Sequence, residues 1–154
     1  MYQKELLKCL KEEFFIADMK SETKEEILEE LIQPLVDHDV IKNKQLLLNT
    51  LKQRESLGST GIGKGVGIPH CRTLAVPDIS IVVGLSNKGV DFDAIDKKSV
   101  HLFFLIIAPP KEDSCIYLPI LGTLVEKVND DAIREQLLKT ENFDAFVDII
   151  AGGK

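Results

Sequence analysis

The 154-residue chain is poor in several things at once. It has no tryptophan, two tyrosines, two methionines, three cysteines and a formal net charge of −6. Cys9, Cys71 and Cys115 are too few, and odd in number, for a disulfide framework, and they fit a reducing cytoplasm. The missing positive charge argues against nucleic acid as principal partner, since phosphate contacts need clustered basic residues and only Lys97-Lys98 forms a local pair. No apolar run approaches the ~20 residues of a membrane span; the longest, Leu102 to Pro110, is strand-sized. The opening MYQKELLKCLKEEFF lacks the uninterrupted apolar core of a secretory signal. No repeat or low-complexity linker divides the chain. Residues 1–154 therefore read as one domain, with 44% hydrophobic and 29% charged residues, able to bury roughly 70% of its unfolded surface.

What is present is organised. Glu13 to Ala17 (EFFIA) has the composition of an opening or edge strand. Thr23 followed by Glu26 is a capping box leading into Ile27, Leu28, Leu31, Ile32, Leu35 and Val36, a helical stripe with a kink or early end expected at Pro34. Asn43 caps a second helix through Leu46, Leu47, Leu51 and Glu55, with Gly58 as its stop. The period then changes. Ile79 to Leu85 is a β-branched strand, Asn87-Lys88-Gly89 a turn, and Val90 to Ile95 a following strand. Ser99 to Ala108 is an almost continuous apolar run, as expected of a strand buried on both faces, ended by Pro109-Pro110. Helices are expected at Ile116–Val128, Asp131–Leu138 and Asn142–Ile150, before Gly152-Gly153. The implied fold is α/β, a single mixed β-sheet flanked by helices on both faces.

The densest signal is RESLGSTGIGKGVGIPHCR, Arg54 to Arg72. Gly61, Gly63, Gly65 and Gly67 fall on alternate residues, so an extended backbone there has one bare side, open to a close approach. It fits neither common nucleotide loop. Gly63-Lys64 is followed by Gly65 where a P-loop needs Ser or Thr, and Val66 takes the third glycine position of G-x-G-x-x-G. The segment instead delivers His70 behind the rigid Pro69. A neutral imidazole there is a nucleophile near pH 7. Arg54 offers a fork of donors suited to a phosphoryl group, Ser59 and Thr60 add hydroxyls, and glycine-rich backbone amides can form an anion-binding nest.

Competing assignments are weaker. His101 opens the apolar strand, where a histidine is most often a satisfied structural residue; if its strand lies beside that of His70, it can donate to an anion bound there. His38, in VDHDV, reads as solvent-exposed. Cys71 beside His70 raises a cysteine–histidine pair, but neighbours on a strand point to opposite faces. Zinc held by His38, His70, His101 and a cysteine lacks any CxxC or HxxxH spacing.

These residues resemble the signature of EIIA components of the bacterial phosphoenolpyruvate-dependent phosphotransferase system, of the fructose–mannitol type and in particular its nitrogen-regulatory branch. The matching pieces are Leu51–Glu55, Gly58-Ser59-Thr60-Gly61-Ile62-Gly63, Gly65-Val66-Gly67-Ile68-Pro69-His70 with Arg72, Phe92-Asp93-Ala94-Ile95-Asp96, and Val100-His101 through Ala108-Pro109. The resemblance implies that His70 accepts a phosphoryl group from the histidine phosphocarrier protein HPr, stabilised by Arg54 and His101 with Ser59 and Thr60 in support. It implies a downstream EIIB cysteine in sugar uptake, or a regulatory target that reads the phosphorylation state. The wording LGSTGIG and the free-standing length tilt toward regulation. No cofactor or metal is implied, and no nucleic-acid partner or membrane insertion. Two departures stand out. Gly67 replaces a frequent alanine, and Tyr117-Leu118 stands where many members have histidine before leucine. The alternative from another class is a non-phosphorylated regulatory binding module on the same fold.

Overall fold

The computed structural model describes residues 2–111 and 116–152, so Cys115 and Gly153 lie outside the described residues. The chain begins with a short helix α1 (Gln3–Cys9), a single 3₁₀ turn (Glu12–Phe14) and a two-residue strand β1 (Phe15–Ile16). Helices α2 (Lys24–Asp37) and α3 (Lys44–Ser56) follow. Then come the short strands β2 (Gly61–Gly63), β3 (Val66–Gly67) and β4 (His70–Arg72), and the two long strands β5 (Ser80–Val90) and β6 (Val100–Ala108). Helices α4 (Tyr117–Asn129), α5 (Asp131–Leu138) and α6 (Phe143–Ile150) close the chain.

Strand β6 is the centre of the sheet. It pairs antiparallel with β5 on one side, and on the other runs parallel to β3 at one end and to β4 at the other. Strand β1 extends the sheet beyond β5 in parallel, and β2 extends it beyond β3 in antiparallel. The sheet is thus mixed, as the sequence pattern implied. Residues Leu102 to Ala108 have no measurable exposure, which a strand covered on both faces requires. The alternation of β6 splits the core in two. Phe103, Leu105 and Ile107 pack with α2 and α3; Leu102, Phe104 and Ile106 pack with α1, α4, α5 and α6.

Local signals set the helix ends. The Thr23 hydroxyl accepts the Glu26 amide while the Glu26 carboxylate accepts the Thr23 amide, so the capping box is complete. The side chains of Asn43, Asp130 and Asn142 cap α3, α5 and α6 by accepting amides three residues on. Two expectations need correction. Of the kink or early end expected at Pro34, the early end does not occur, and helix α2 continues one turn to Asp37. Here the buried stripe of Leu31, Ile32 and Leu35 holds the turn that the proline weakens by removing one donor. Residues Val90 to Ile95 do not form a separate strand. Strand β5 instead runs through the expected turn with a register shift between Leu85 and Val90, where Gly89 has φ +83° and its amide donates to the Ser86 hydroxyl. Beyond it, residues 91–98 form an irregular loop that buries Phe92 and Ala94.

Phe104 lies at the heart of the four-helix side, fully buried with its ring 6.0 Å from that of Phe146. Truncation to alanine leaves a ring-sized cavity in a core with little room to collapse. Phe104→Ala is expected to lower unfolding stability by about 3–5 kcal/mol, read as a fall in the urea midpoint at unchanged slope.

Candidate functional site

His70 opens β4, and its neighbours fix its ring. The imidazole Nδ1 lies 2.7 Å from the carbonyl oxygen of Ile68, two residues earlier. A carbonyl only accepts, so Nδ1 carries the proton and donates, and a neutral ring then holds its lone pair on Nε2. The backbone is locked as well, because the Pro69 carbonyl accepts the Ile106 amide at 3.0 Å. In the β4–β6 register His70 stands opposite Ile106, Cys71 opposite Ile107 and Arg72 opposite Ala108. His70 and Arg72 therefore share the face that carries α4, and Cys71 points to the α2–α3 side, where it is buried.

Arg54 reaches the same strand from the other side of the sheet. Half-buried near the end of α3, it donates from Nη1 to the Gly58 carbonyl at 3.0 Å. With Thr50, Gln53, Ser56 and Leu57 it lines a groove against Cys71 and Arg72, the two residues after His70. Arg72 was not singled out as a site residue on sequence grounds, although strand alternation after His70 carries that signal. The guanidinium of Arg72 stacks 4.4 Å from the centroid of Tyr117, the residue that departs from the family pattern.

The structure does not bring His101 to His70, contrary to expectation. His101 precedes Ile106 by five residues on β6, roughly 16 Å along a strand from the position opposite His70. There its Nδ1 donates to the Ser86 carbonyl at 2.9 Å, and its ring packs against Gly89, leaving no room for a Cβ. It pins the β5 irregularity. The hydroxyls of Ser59 and Thr60 are also engaged internally. Ser59 donates to the Phe92 carbonyl at 2.8 Å and accepts the Gly61 amide at 3.0 Å. Thr60, 3% exposed, donates its hydroxyl to the Glu55 carboxylate, which also accepts the Thr60 amide and pairs with Lys24 at 2.9 Å. These contacts tie the end of α3, next to Arg54, to the glycine-rich segment.

The glycines serve the chain's own packing. Residues 61–67 are not one extended strand but the β2–β3 hairpin, turned by Lys64 and Gly65 with φ +58° and +79°. A Cβ on Gly61 would lie 2.8 Å from the Ala94 Cα, and one on Gly67 would lie 3.3 Å from Phe103 and Val100 side-chain carbons. The loop 91–96 thus fills the bare side: the Ile95 amide donates to the Gly61 carbonyl, and Asp96 accepts the amides of Lys64 and Lys98. Those amides hold the Asp96 carboxyl below the usual range.

His38 is exposed at the end of α2, its ring edge-on to Phe14. Among the described residues, no group of three His, Cys, Asp or Glu side chains is placed to hold a metal ion, and no helix is long and apolar enough to cross a membrane.

Residues 8–152 match the family model described as phosphoenolpyruvate-dependent sugar phosphotransferase system, EIIA 2. The chain belongs to this EIIA family. It is 36% identical over 131 residues to the fructose-specific EIIA component of Haloferax volcanii, covering 84% of this chain and 83% of that protein. It is 35% identical over 133 residues to the fructose-specific EIIABC component of Bacillus subtilis, covering 86% of this chain but spanning only 21% of that longer protein. Among solved structures it resembles the nitrogen regulatory protein IIA-Ntr of Neisseria meningitidis, with TM-score 0.87, 29% identity and coverage of 95% and 99% of the two chains. The mixed sheet with helices on both faces is the EIIA fold.

Two outcomes follow for the site of this EIIA. Gly61→Ala, which drives a methyl into backbone, is expected to cost about 1–3 kcal/mol in urea unfolding. Burial pushes the Cys71 thiol from its ordinary 9.0 up to about 11. Between those values the unfolded chain gives up a proton that the folded chain keeps. The stabilisation associated with this thiol is therefore complete below pH 9 and is lost as pH rises toward 11. Urea midpoints of the native protein and Cys71→Ser, compared from pH 8 to pH 11, are expected to shift against each other in that window, the native protein losing ground.

Proposed function

We propose that this EIIA is a cytoplasmic phosphocarrier that accepts a phosphoryl group from HPr on Nε2 of His70. It then passes the group to the cysteine of an EIIB partner, or keeps it as a mark that a regulatory target reads. The observation that carries the proposal is the hydrogen bond from His70 Nδ1 to the Ile68 carbonyl. It selects the tautomer in which Nε2 is the nucleophile. It also continues to stabilise the ring when bonding to phosphorus draws electron density out of it.

In the transfer, the phosphorus–nitrogen bond of the donor's phosphohistidine breaks and its electron pair returns to the donor imidazole. The His70 Nε2 lone pair forms the new bond. Such a reaction passes through a loose state with charge spread over three oxygens, and asks the protein mainly for positioning and positive charge. Two arginines meet that demand on a chain whose net charge is −6, Arg54 in the groove beside β4 and Arg72 on the His70 face. Exposed leucines supply apolar surface for a protein donor. Leu57 at the end of α3, Leu74 just beyond β4 and Leu118 beside Tyr117 are 85%, 91% and 65% exposed. The likeness to an EIIABC chain supports an EIIB recipient, and the likeness to IIA-Ntr supports the regulatory use.

Incubation with phosphoenolpyruvate, enzyme I and HPr is expected to add one acid-labile, alkali-stable phosphoryl group, found on His70 by mass spectrometry and absent from His70→Ala. A native protein left unmodified would overturn the carrier reading and favour the non-phosphorylated binding module.

A further inference from the structure

Three elements converge on one guanidinium beside His70. Two steps along β4 put the Arg72 Cα about 6.6 Å from that of His70, on the same face of the sheet. Nη1 of Arg72 donates to the carbonyl oxygens of Pro109 at 3.0 Å and Pro110 at 3.3 Å, where β6 ends. Its planar head stacks on the ring of Tyr117, in the first turn of α4. Tyr117 is only 4% exposed, so the platform is itself fixed by the core formed with Ile120 and Leu124. Arg54 differs. It arises from the helix on the opposite face and is drawn back to the Gly58 carbonyl.

We propose that Arg72 is a second cation, besides Arg54, that stabilises the phosphoryl group in transfer to His70, and that Tyr117 positions it. The proposal rests on His70 being the acceptor. As the new bond to Nε2 forms and the donor bond breaks, negative charge collects on the three phosphoryl oxygens. A guanidinium on the same face lowers the energy of that state through its charge, whichever of its donors turn toward the oxygens. Stacking and the prolyl carbonyls hold the head in place beforehand, so little side-chain entropy is lost when the group arrives. Tyr117 thus fills with an aromatic platform the position where many family members carry histidine: the charge comes from β4, and α4 orients it.

The test compares two phosphoryl donors, phospho-HPr and the small molecule phosphoramidate, which has no docking surface. Arg72→Gln is expected to slow His70 phosphorylation at least ~10-fold with both donors, as for loss of one charge-assisted contact, with KM for phospho-HPr changed less than ~3-fold. Arg72→Lys should recover part of the rate, because it keeps the charge but not the planar stack. Tyr117→Leu should lose most of what Arg72→Gln loses, and Tyr117→Phe, which keeps the ring, should restore it. Circular dichroism and urea midpoints check folding; should Arg72→Gln not fold, Arg72→Lys and the Tyr117 pair make the comparison. Slowing with phospho-HPr alone would make Arg72 a docking residue and overturn the proposal, as would rates within ~2-fold of native with phosphoramidate. Failure of the native protein with both donors would instead sink the acceptor reading itself.

Discussion

Burial of β6 on both faces is the constraint on which the rest of the structure depends. Nine consecutive residues without charge, from Val100 to Ala108 with only His101 polar, have one low-energy place in a folded chain: the middle of a sheet whose two faces are covered. Two separate cores then form on either side of a single strand. The hydrogen-bonding edge of β6 away from β5 is shared between β3 and β4, so the glycine-rich hairpin and the histidine strand are aligned by one template. That alignment decides which side chains surround His70.

The site is an electrostatic exception on an acidic molecule. Two arginines meet at the outer edge of β4, one from each face of the sheet, in a chain with six more acidic than basic charges. On the proposed reading, their positive charge answers the charge that develops on a phosphoryl group in transfer. An acidic remainder of this kind attracts a basic surface at long range. Nearby, the partly buried set of Lys24, Glu55 and Thr60 ties α2, α3 and the glycine segment together.

Much of the fold was legible because it rests on neighbours in sequence. Thr23 with Glu26, Asn43, Asp130 and Asn142 start helices through bonds to amides three residues away, and a reader of the chain sees both partners. The apolar run of β6 and the His70 segment were legible for the same reason. The β5 irregularity was not, because Gly89 is turned by Ser86 and packed by His101, a residue brought there from the adjacent strand. His101 misled for that reason too: its place beside or away from His70 is a matter of register, which pairs Ile106 with His70. The glycines advertised a bare backbone, but not that loop 91–96 would cover it.

The amino-acid sequence by itself determined the class of fold and the family, since alternation, caps and a long ordered motif are all written in local order. Only the tertiary structure decided which nitrogen of His70 is engaged, that Arg72 on the same face stacks on Tyr117, and that His101, Ser59 and Thr60 are occupied elsewhere. The reason is physical. A side chain's chemistry is its own, but its partners are set by strand register and by which face of a sheet it points from, and both are fixed only when distant segments pair.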